Sequence, residues 1–181
     1  MPLPMKLLQY SLCVPVLVAS AHAAQFLSVE QVQRLFFPNA ESFAEKKLEL
    51  SSEQIRQIEE RARSRMRVKR HRIWEALARG QRLGFVIVDE VYGKHEFITY
   101  AVALDSSGVV LSVEILVYRE SFGGEVRDPR WRAQFVGKHP GDTLELDKDI
   151  RNISGATLSC QHITEGVRRI LAIFNVALTR S

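Results

Sequence analysis

Small and hydroxyl-bearing residues are concentrated in one short stretch near the end of the chain, Ser154-Gly155-Ala156-Thr157-Leu158-Ser159. A helical pattern of apolar residues follows it, which predicts a helix from about Thr157. The first turn of a helix leaves backbone N–H groups unpaired and has a partial positive charge, and small residues let a ligand approach the backbone closely. Such a place favours a phosphate group, which the Thr157 hydroxyl could also bind covalently.

The same residues allow other interpretations. Ser154 and Thr157 could be a plain N-cap and first-turn pair, because Ser and Thr commonly have that role. A Ser or Thr hydrolase would need a base at the hydroxyl, but the spacing from Thr157 to His162 does not place an imidazole there. We therefore interpret His162 as a surface or half-buried helix residue. Cys160 could modulate a bound ligand, but a buried core position is favoured.

The histidines do not predict a metal site. His95, His139 and His162 have no local ligand spacing, and carboxylates do not cluster with them. Lys94 and His95 follow a glycine at the entry to a strand. They could contact a bound ligand or belong to a solvated turn, and the sequence leaves both interpretations open.

Two further stretches occur at regular spacing before the Ser154–Ser159 stretch. The first is a glycine-rich segment over residues 120–126, and the second extends over 129–138 with Trp131 and a Gln-Phe-Val-Gly-Lys ending. Together with Ser154–Ser159 they resemble the FMN-binding domain family. That family includes the C subunit of the sodium-translocating NADH:quinone reductase and the G subunit of the Rnf complex. The resemblance covers about residues 84–178.

This resemblance implies an electron-transfer flavoprotein. A flavin transferase that uses FAD and Mg²⁺ would attach FMN through a phosphoester to Thr157. Phe122 and Trp131 become candidate neighbours of the flavin ring, which the loop over residues 120–125 would pack. The implied cofactor-binding residues are Thr157, Ser154, Gly155, Ala156, Leu158, Glu120, Phe122, Gly123, Gly124, His95 and Lys138.

The chain departs from the family pattern in two motifs and in its leader. Relatives usually have an acidic residue three positions before the motif's serine, where this chain has Arg151, with Asp149 two residues further back. The glycine-rich loop is shorter and lacks the Pro and Leu often found there. Those complex subunits keep a transmembrane anchor, whereas the leader of this chain has the pattern of a removable one.

Composition and the first residues exclude several classes of protein. The chain has 181 residues, a net charge of +4 and two cysteines, which argues against a nucleic-acid partner, a disulfide scaffold and a Cys-rich metal cluster. Lys6, an apolar stretch and an Ala-x-Ala pattern predict a signal peptide over residues 1–24, and hence a soluble periplasmic protein. Its removal would leave Cys160 as the single thiol.

The elements that must position the site follow from periodicity and capping signals. Ser28 with Gln31 and Ser51 with Gln54 are typical of capping boxes that begin two helices. Alternating apolar residues predict successive antiparallel strands, of which the first could also be a helix, over residues 73–78, 85–92, 95–104 and 109–117.

The expected fold is α+β. It has a helical N-terminal segment over residues 25–71 and an FMN-binding domain over 72–181. In that domain an antiparallel sheet packs against a C-terminal helix.

Seven basic residues lie between Arg61 and Arg72 with no acidic residue among them. They could dock an acidic partner or anionic lipid at the membrane surface, but a solvated helix face is favoured. The resemblance implies a membrane-bound reductase or quinone-linked complex as the redox partner. The alternative function is a non-redox periplasmic binding or scaffold module that uses the same fold without flavin.

Overall fold

One antiparallel sheet organises the protein. The structure, a computed structural model, describes residues 24–66 and 71–179, so the predicted leader lies outside it except for Ala24. The strands lie side by side in the order β1-β6-β5-β4-β3-β2. Their bounds are β1 Ala24–Gln25, β2 Ser42–Lys46, β3 Arg72–Ala78, β4 Gln81–Tyr92, β5 Phe97–Asp105 and β6 Val110–Tyr118.

Helices lie on both faces of this sheet, so the predicted α+β fold is confirmed. The α-helices are α1 Val29–Phe36, α2 Ser52–Ala62, α3 Pro129–Arg132 and α4 Thr157–Ile173. Short 3₁₀ turns cover Gly124–Arg127 and Ala133–Phe135, and α4 continues as a π-helix over Phe174–Leu178. No helix in the described part of the chain is long and apolar enough to span a bilayer.

The two faces of the sheet bury separate apolar cores. Helix α4 packs on one face through the apolar stripe that the sequence predicts, including Ile163, Val167 and Ile170, all fully buried. Helix α1 covers the other face through Val32. Burying a side chain of this size stabilises the fold by about 1.5–3 kcal/mol, so the stripe fixes α4 on the sheet.

A buried ionic cluster fixes the middle of α4. Arg169 donates to Asp89 Oδ2 on β4 at 2.7 Å, and Tyr100 Oη donates to the same oxygen at 3.1 Å. His71 Nδ1 lies 3.5 Å from Asp89 Oδ1. Burial acts to raise the pKa of Asp89, but His71 and Arg169 lower it by more, to about 2. The carboxyl is therefore ionised at neutral pH and ties α4 to β4.

The N-terminal segment contains both predicted capping boxes. Ser28 and Ser51 accept from the third residue of each helix, whose side chain accepts in return. The segment also contributes two edge strands that the sequence did not predict, since β1 pairs with β6 and β2 pairs with β3.

Helix α2 ends before most of the basic run. Its last residue is Ala62, and Arg63 has a left-handed backbone with φ of 50°. The favoured interpretation of Arg61–Arg72 as a helix face is therefore wrong, because only Arg61 of the run lies on α2. The part of the run over residues 67–70 lies outside the described residues.

Candidate functional site

Helix α4 begins at Thr157, as the sequence predicts, but no side chain caps it. Its N-cap residue is Ala156, so the interpretation of Ser154 as an ordinary N-cap is wrong. Within residues 24–66 and 71–179, no hydrogen bond occupies the N–H groups of Thr157, Leu158 and Ser159. These three donors and the positive end of the helix dipole suit an anion.

The turn before α4 leaves room for a ligand. Gly155 has φ of +86°, a conformation that L side chains rarely adopt, and no atom lies within 4 Å of the position where a Cβ would be. Ser154 and Thr157 are exposed. A group bound to the Thr157 hydroxyl would thus meet open space beside Gly155.

Asn152 orients the Thr157 hydroxyl. Its Nδ2 donates to Thr157 Oγ1 at 3.2 Å, while its Oδ1 accepts the N–H of Ile153 at 2.8 Å. The second bond fixes which end of the amide faces the threonine. Because Asn152 occupies only one lone pair of Oγ1, the oxygen keeps its proton and its second lone pair for other partners.

Trp131 stabilises the segment that leads into α4. Its indole Nε1 donates to Arg151 O at 2.7 Å, and Gln134 Oε1 accepts the Arg151 N–H at 2.8 Å. The Trp131 side chain is only 5% exposed and packs edge-on against Phe135. The prediction that Trp131 neighbours a flavin ring is therefore corrected, since the ring belongs to the core. Arg151 contributes its backbone carbonyl and N–H to these two hydrogen bonds.

The glycine-rich loop lies directly beside the start of α4. Tyr118, at the end of β6, donates to Phe122 O at 2.5 Å, and its oxygen lies 3.1 Å from Ser159 Oγ. A Cβ on Gly123 would be 2.8 Å from Tyr118 Oη and 3.0 Å from Ser159 Oγ, so only glycine fits there. Burial raises the pKa of Tyr118 and keeps this phenol protonated as a donor. The structure thus brings together two of the three predicted stretches.

Phe122 projects from this loop into solvent. Its side chain is 85% exposed, and Leu158 in the first turn of α4 is 44% exposed. Two exposed apolar side chains at one helix start can cover the flat face of a ligand. Gly124, next in the loop, accepts from Arg127 Nε at 2.9 Å through its carbonyl oxygen.

Glu120 holds the β4–β5 turn to the loop. Its Oε1 accepts the N–H groups of His95 at 2.6 Å and Glu96 at 3.0 Å. Burial acts to raise the pKa of Glu120, but these backbone donors lower it by more, so the pKa lies below its usual range. Glu120 is thereby a structural clamp, and it keeps the exposed His95 at the same end of the sheet as the loop.

Lys138 lies at the opposite end of the sheet. Its carbonyl accepts the N–H of Val110, the first residue of β6, at 2.8 Å. At about 3.3 Å per residue, that end of β6 is roughly 26 Å from Tyr118. The Lys138 Nζ donates to Asp149 Oδ2 at 3.1 Å. The prediction that Lys138 binds the cofactor is corrected accordingly: it joins two loop segments far from Thr157.

The hydrolase arrangement is not formed. The hydrogen-bond partner of Thr157 Oγ1 is Asn152, and His162 points away from Thr157 around the helix. Cys160 is fully buried, as favoured from the sequence, and burial raises the pKa of its thiol. No group of three or more His, Cys, Asp or Glu residues in the described ranges could hold a metal ion.

The residues that sequence reasoning missed are Tyr118, Asn152, Gln134 and Ser159. Ser159 and Asn152 lie in or next to the recognised stretch, so their hydrogen-bonding side chains were a usable signal. In the sequence, nothing distinguishes Tyr118 from the other residues of its strand. Its hydrogen bonds to residues 122 and 159 form only in the folded chain.

Comparison with known proteins gives one family match. Residues 93–172 match the family model described as FMN-binding domain. No curated protein matches the chain. Among solved structures, the crystal structure of Shewanella oneidensis NqrC is similar with a TM-score of 0.45 and 17% identity, over 82% of this chain and 71% of that chain.

Proposed function

We propose that the protein is an exported electron-transfer flavoprotein with FMN joined by a phosphoester to Thr157, because residues 93–172 match the model of the FMN-binding domain family. One observation carries the proposal. The exposed Thr157 hydroxyl lies at the start of a long helix whose first N–H groups have no partner among the described residues. That is where a covalently held phosphate would be stabilised.

The residues present fit the group. The N–H groups of Thr157, Leu158 and Ser159 would donate to phosphate oxygens, and Gly155 leaves the approach open. Asn152 would hold Thr157 Oγ1 in one rotamer, both as a hydroxyl and as an ester oxygen, since each form accepts a hydrogen bond. The exposed ring of Phe122 would shield one side of the cofactor from water.

FMN supplies one- and two-electron redox chemistry when bound, while the protein supplies position and electrostatics. The Tyr118–Ser159 contact and the Gly123 backbone hold the loop on α4, so Phe122 keeps its place relative to Thr157. Glu120 does the same for the turn that holds His95. These contacts limit motion around the cofactor, which lowers the cost of rearrangement when an electron is transferred.

The partners belong to the same proposal. A flavin transferase would load Thr157 during maturation, and a membrane-bound reductase or quinone-linked complex would exchange electrons afterwards. The leader pattern over residues 1–24 supports a periplasmic location, where free FMN is scarce and a covalent link prevents loss. The basic residues Arg61 to Arg72 would serve an acidic partner or anionic lipid.

The experiment compares wild type with two variants, each of which lacks one hydroxyl group of the turn before α4. Wild type, Thr157→Ala and Ser154→Ala are each co-expressed with a flavin transferase, and intact mass is measured after acid denaturation. Wild type and Ser154→Ala should be yellow and keep the FMN-phosphoryl mass, whereas Thr157→Ala should be colourless.

Ser154 is the matched control because it is an exposed hydroxyl residue in the same turn. Wild-type protein that stays colourless, although the transferase modifies a known acceptor, would contradict the proposal. That result would favour the non-redox binding or scaffold module. An adduct retained in Thr157→Ala would place the attachment elsewhere.

A further inference from the structure

A cavity of about 260 Å³ lies where the end of α2 and the later half of α4 meet the turn over residues 139–142. It is distant from the proposed attachment site, because α4 rises by roughly 16 Å from Thr157 to Arg168, which lines the cavity. Pockets that enclose drug-sized ligands have volumes of roughly 300–1,000 Å³, so this smaller cavity suits a small chemical group.

A Pro-Gly turn forms one wall of this cavity. Proline at the second position and glycine at the third favour a type II turn, and both occur here at Pro140 and Gly141. The N–H of Asp142 donates to His139 O at 3.1 Å, and Gly141 has φ of +105°. No described atom lies within 4 Å of the position where a Cβ on Gly141 would be. The turn therefore leaves this side of the cavity open to a ligand.

Two backbone carbonyls hold the Arg168 guanidinium in the cavity. Its Nε donates to the carbonyl of Ala62, the last residue of α2, at 2.7 Å, and its Nη1 donates to Leu144 O at 2.8 Å. Neither acceptor has a formal charge, so these bonds orient the guanidinium without neutralising it. Burial lowers the pKa of Arg168, and the neighbouring carboxylates do not compensate for this effect. The remaining N–H donors of the group are thus available to an anion.

Two more arginines add positive charge to the lining of the cavity. Arg61, in the last turn of α2, has a side chain without a hydrogen-bond or ion-pair partner among residues 24–66 and 71–179. Arg63 forms an ion pair with Glu145, but the same carboxyl group also pairs with Lys148. One carboxylate therefore serves two cations, and the charge of Arg61 is not balanced by any direct contact.

The acidic residue on the lining, Asp142, already has partners. Its Oδ2 accepts the N–H of His139 at 2.9 Å, and its Oδ1 lies 3.5 Å from His139 Nε2. Asn175 adds an exposed amide to the lining, and the apolar part consists of the buried residues Leu144, Leu171 and Ala172. Among the described residues, the lining thus has three guanidinium groups and one carboxylate, which is an excess of positive charge.

We propose that this cavity is a second anion site, which binds a phosphate group, free or as a monoester, independently of any flavin at Thr157. A phosphate monoester has a charge of about −1.5 to −2 at neutral pH and several acceptor oxygens, which match the excess of cations and N–H donors. Guanidinium groups bind phosphate through paired hydrogen bonds. A carboxylate has a single charge and fewer oxygens, so it should bind more weakly. The bound phosphate would join the end of α2 to α4 and the Pro140–Gly141 turn.

The test is a calorimetric titration with inorganic phosphate at constant ionic strength, and with acetate for comparison. It uses FMN-loaded protein, in which the start of α4 already holds a phosphate, or the unloaded protein if FMN does not attach. Wild type is compared with Arg61→Gln, Arg168→Gln and the control Arg56→Gln. Arg56 is an exposed arginine on the same helix as Arg61, and it pairs with Glu53.

Wild type and Arg56→Gln should bind phosphate equally well and acetate more weakly. Arg61→Gln should bind phosphate about tenfold more weakly, because it loses a charged hydrogen bond, and Arg168→Gln should show no measurable binding. Arg168→Gln also loses the bonds to Ala62 and Leu144, so circular dichroism is used to check its fold. If that variant does not fold, Arg61→Gln still decides the test, since the Arg61 side chain has no described partner to lose.

A second measurement distinguishes two sources of the phosphate group. Wild type and Arg61→Gln are sedimented with phosphatidylcholine vesicles that contain or lack phosphatidic acid, whose headgroup is a phosphate monoester. Wild-type binding that requires phosphatidic acid and falls in Arg61→Gln would show that the site accepts a lipid headgroup. Calorimetric binding without vesicle binding would restrict the site to phosphate in solution.

Three results would overturn the inference. They are no calorimetric binding of phosphate to wild type, whatever the vesicles show, equal binding of phosphate to wild type and Arg61→Gln, and acetate binding as tight as that of phosphate. None of them bears on the Thr157 attachment, which is tested separately by intact mass.

Discussion

The starts of α1 and α2 differ from the start of α4 in one respect. Ser28 and Ser51, with ψ of 167° and 160°, each accept a backbone N–H at 3.2 Å. Ala156, with φ of −119° and ψ of 14°, has neither the conformation nor the side chain for this. Helices α1 and α2 thus cap their own first turns, whereas the first turn of α4 keeps its N–H groups open to a ligand.

This difference shows that α4 is stabilised by contacts along its length and not by an N-terminal cap. An absent cap costs about 1 kcal/mol, and the apolar stripe and the Asp89–Arg169 ion pair offset that many times over. The first turn of α4 is consequently free to bind a ligand, because the helix is anchored further along.

The largest effect should come from breaking that anchor. Asp89→Asn leaves the Arg169 guanidinium buried without its carboxylate, which should lower the free energy of unfolding by about 3–5 kcal/mol. Urea denaturation followed by circular dichroism measures this. The control is Glu90→Gln, on the exposed neighbouring residue, with an expected change below about 0.5 kcal/mol. A loss below about 1 kcal/mol in Asp89→Asn would show that α4 is held by other contacts.

The same pair has a pH signature. The pKa of Asp89 is about 2 in the folded protein, below the ordinary value of 3.8 that the unfolded chain has, so folding favours the ionised form. Its contribution, about 2 kcal/mol, is complete above about pH 5 and is lost as the pH falls through 3.8 towards 2. The free energy of unfolding is measured at decreasing pH for wild type and Asp89→Asn, and the difference between the two proteins isolates this contribution. A difference that grows on acidification would have the wrong sign.

Asn152→Ala tests the uncapped first turn of α4. Loss of the hydrogen bond to Thr157 Oγ1 should slow FMN attachment by roughly five- to tenfold, because the hydroxyl then samples several rotamers. The initial rate of adduct formation with purified transferase gives the value, and Asn152→Gln tests partial rescue. Unchanged rates in Asn152→Ala would assign the hydroxyl's orientation to another group.

Ser51→Ala tests a closed first turn. Removal of the α2 cap should cost about 1 kcal/mol of unfolding free energy and leave FMN loading unchanged. Thermal unfolding and intact mass, each measured on the same preparation, separate the two effects. Reduced loading would mean that α2 takes part in the α4 site.

The smallest effect is expected from Ala156→Ser. Ser is a better N-cap residue than Ala, but the ψ of 14° directs its side chain away from the first N–H groups. Stability should therefore change by less than about 0.5 kcal/mol in thermal unfolding. A gain of about 1 kcal/mol would show that the turn can relax into the conformation of the other two helices.

Local signals made much of this fold predictable. The capping boxes at Ser28 and Ser51 and the start of α4 at Thr157 depend on residues three or four positions apart, and the structure has all three. The alternation over β6 was likewise visible in the sequence. In the candidate site, the nearness of the glycine-rich loop to α4 followed from the family resemblance.

Long-range contacts explain what was missed. Strand β2 forms because Ser42–Lys46 pairs with β3, and its own exposure pattern has no strict alternation. Trp131 and Lys138 belong to a motif that suggested cofactor contact, but tertiary packing buries the first and places the second far away. The end of α2 at Arg63 has no glycine to signal it. Sequence spacing cannot reveal such partners.

Strand β1 has a consequence for orientation. Ala24 pairs with Tyr118, and Tyr118 contacts Ser159 in the first turn of α4. Because β1 runs antiparallel to β6, Ala24 begins β1 at the end of the sheet where β6 gives way to the Phe122 loop. A tether attached there would turn the Thr157 end of the molecule towards whatever surface holds it.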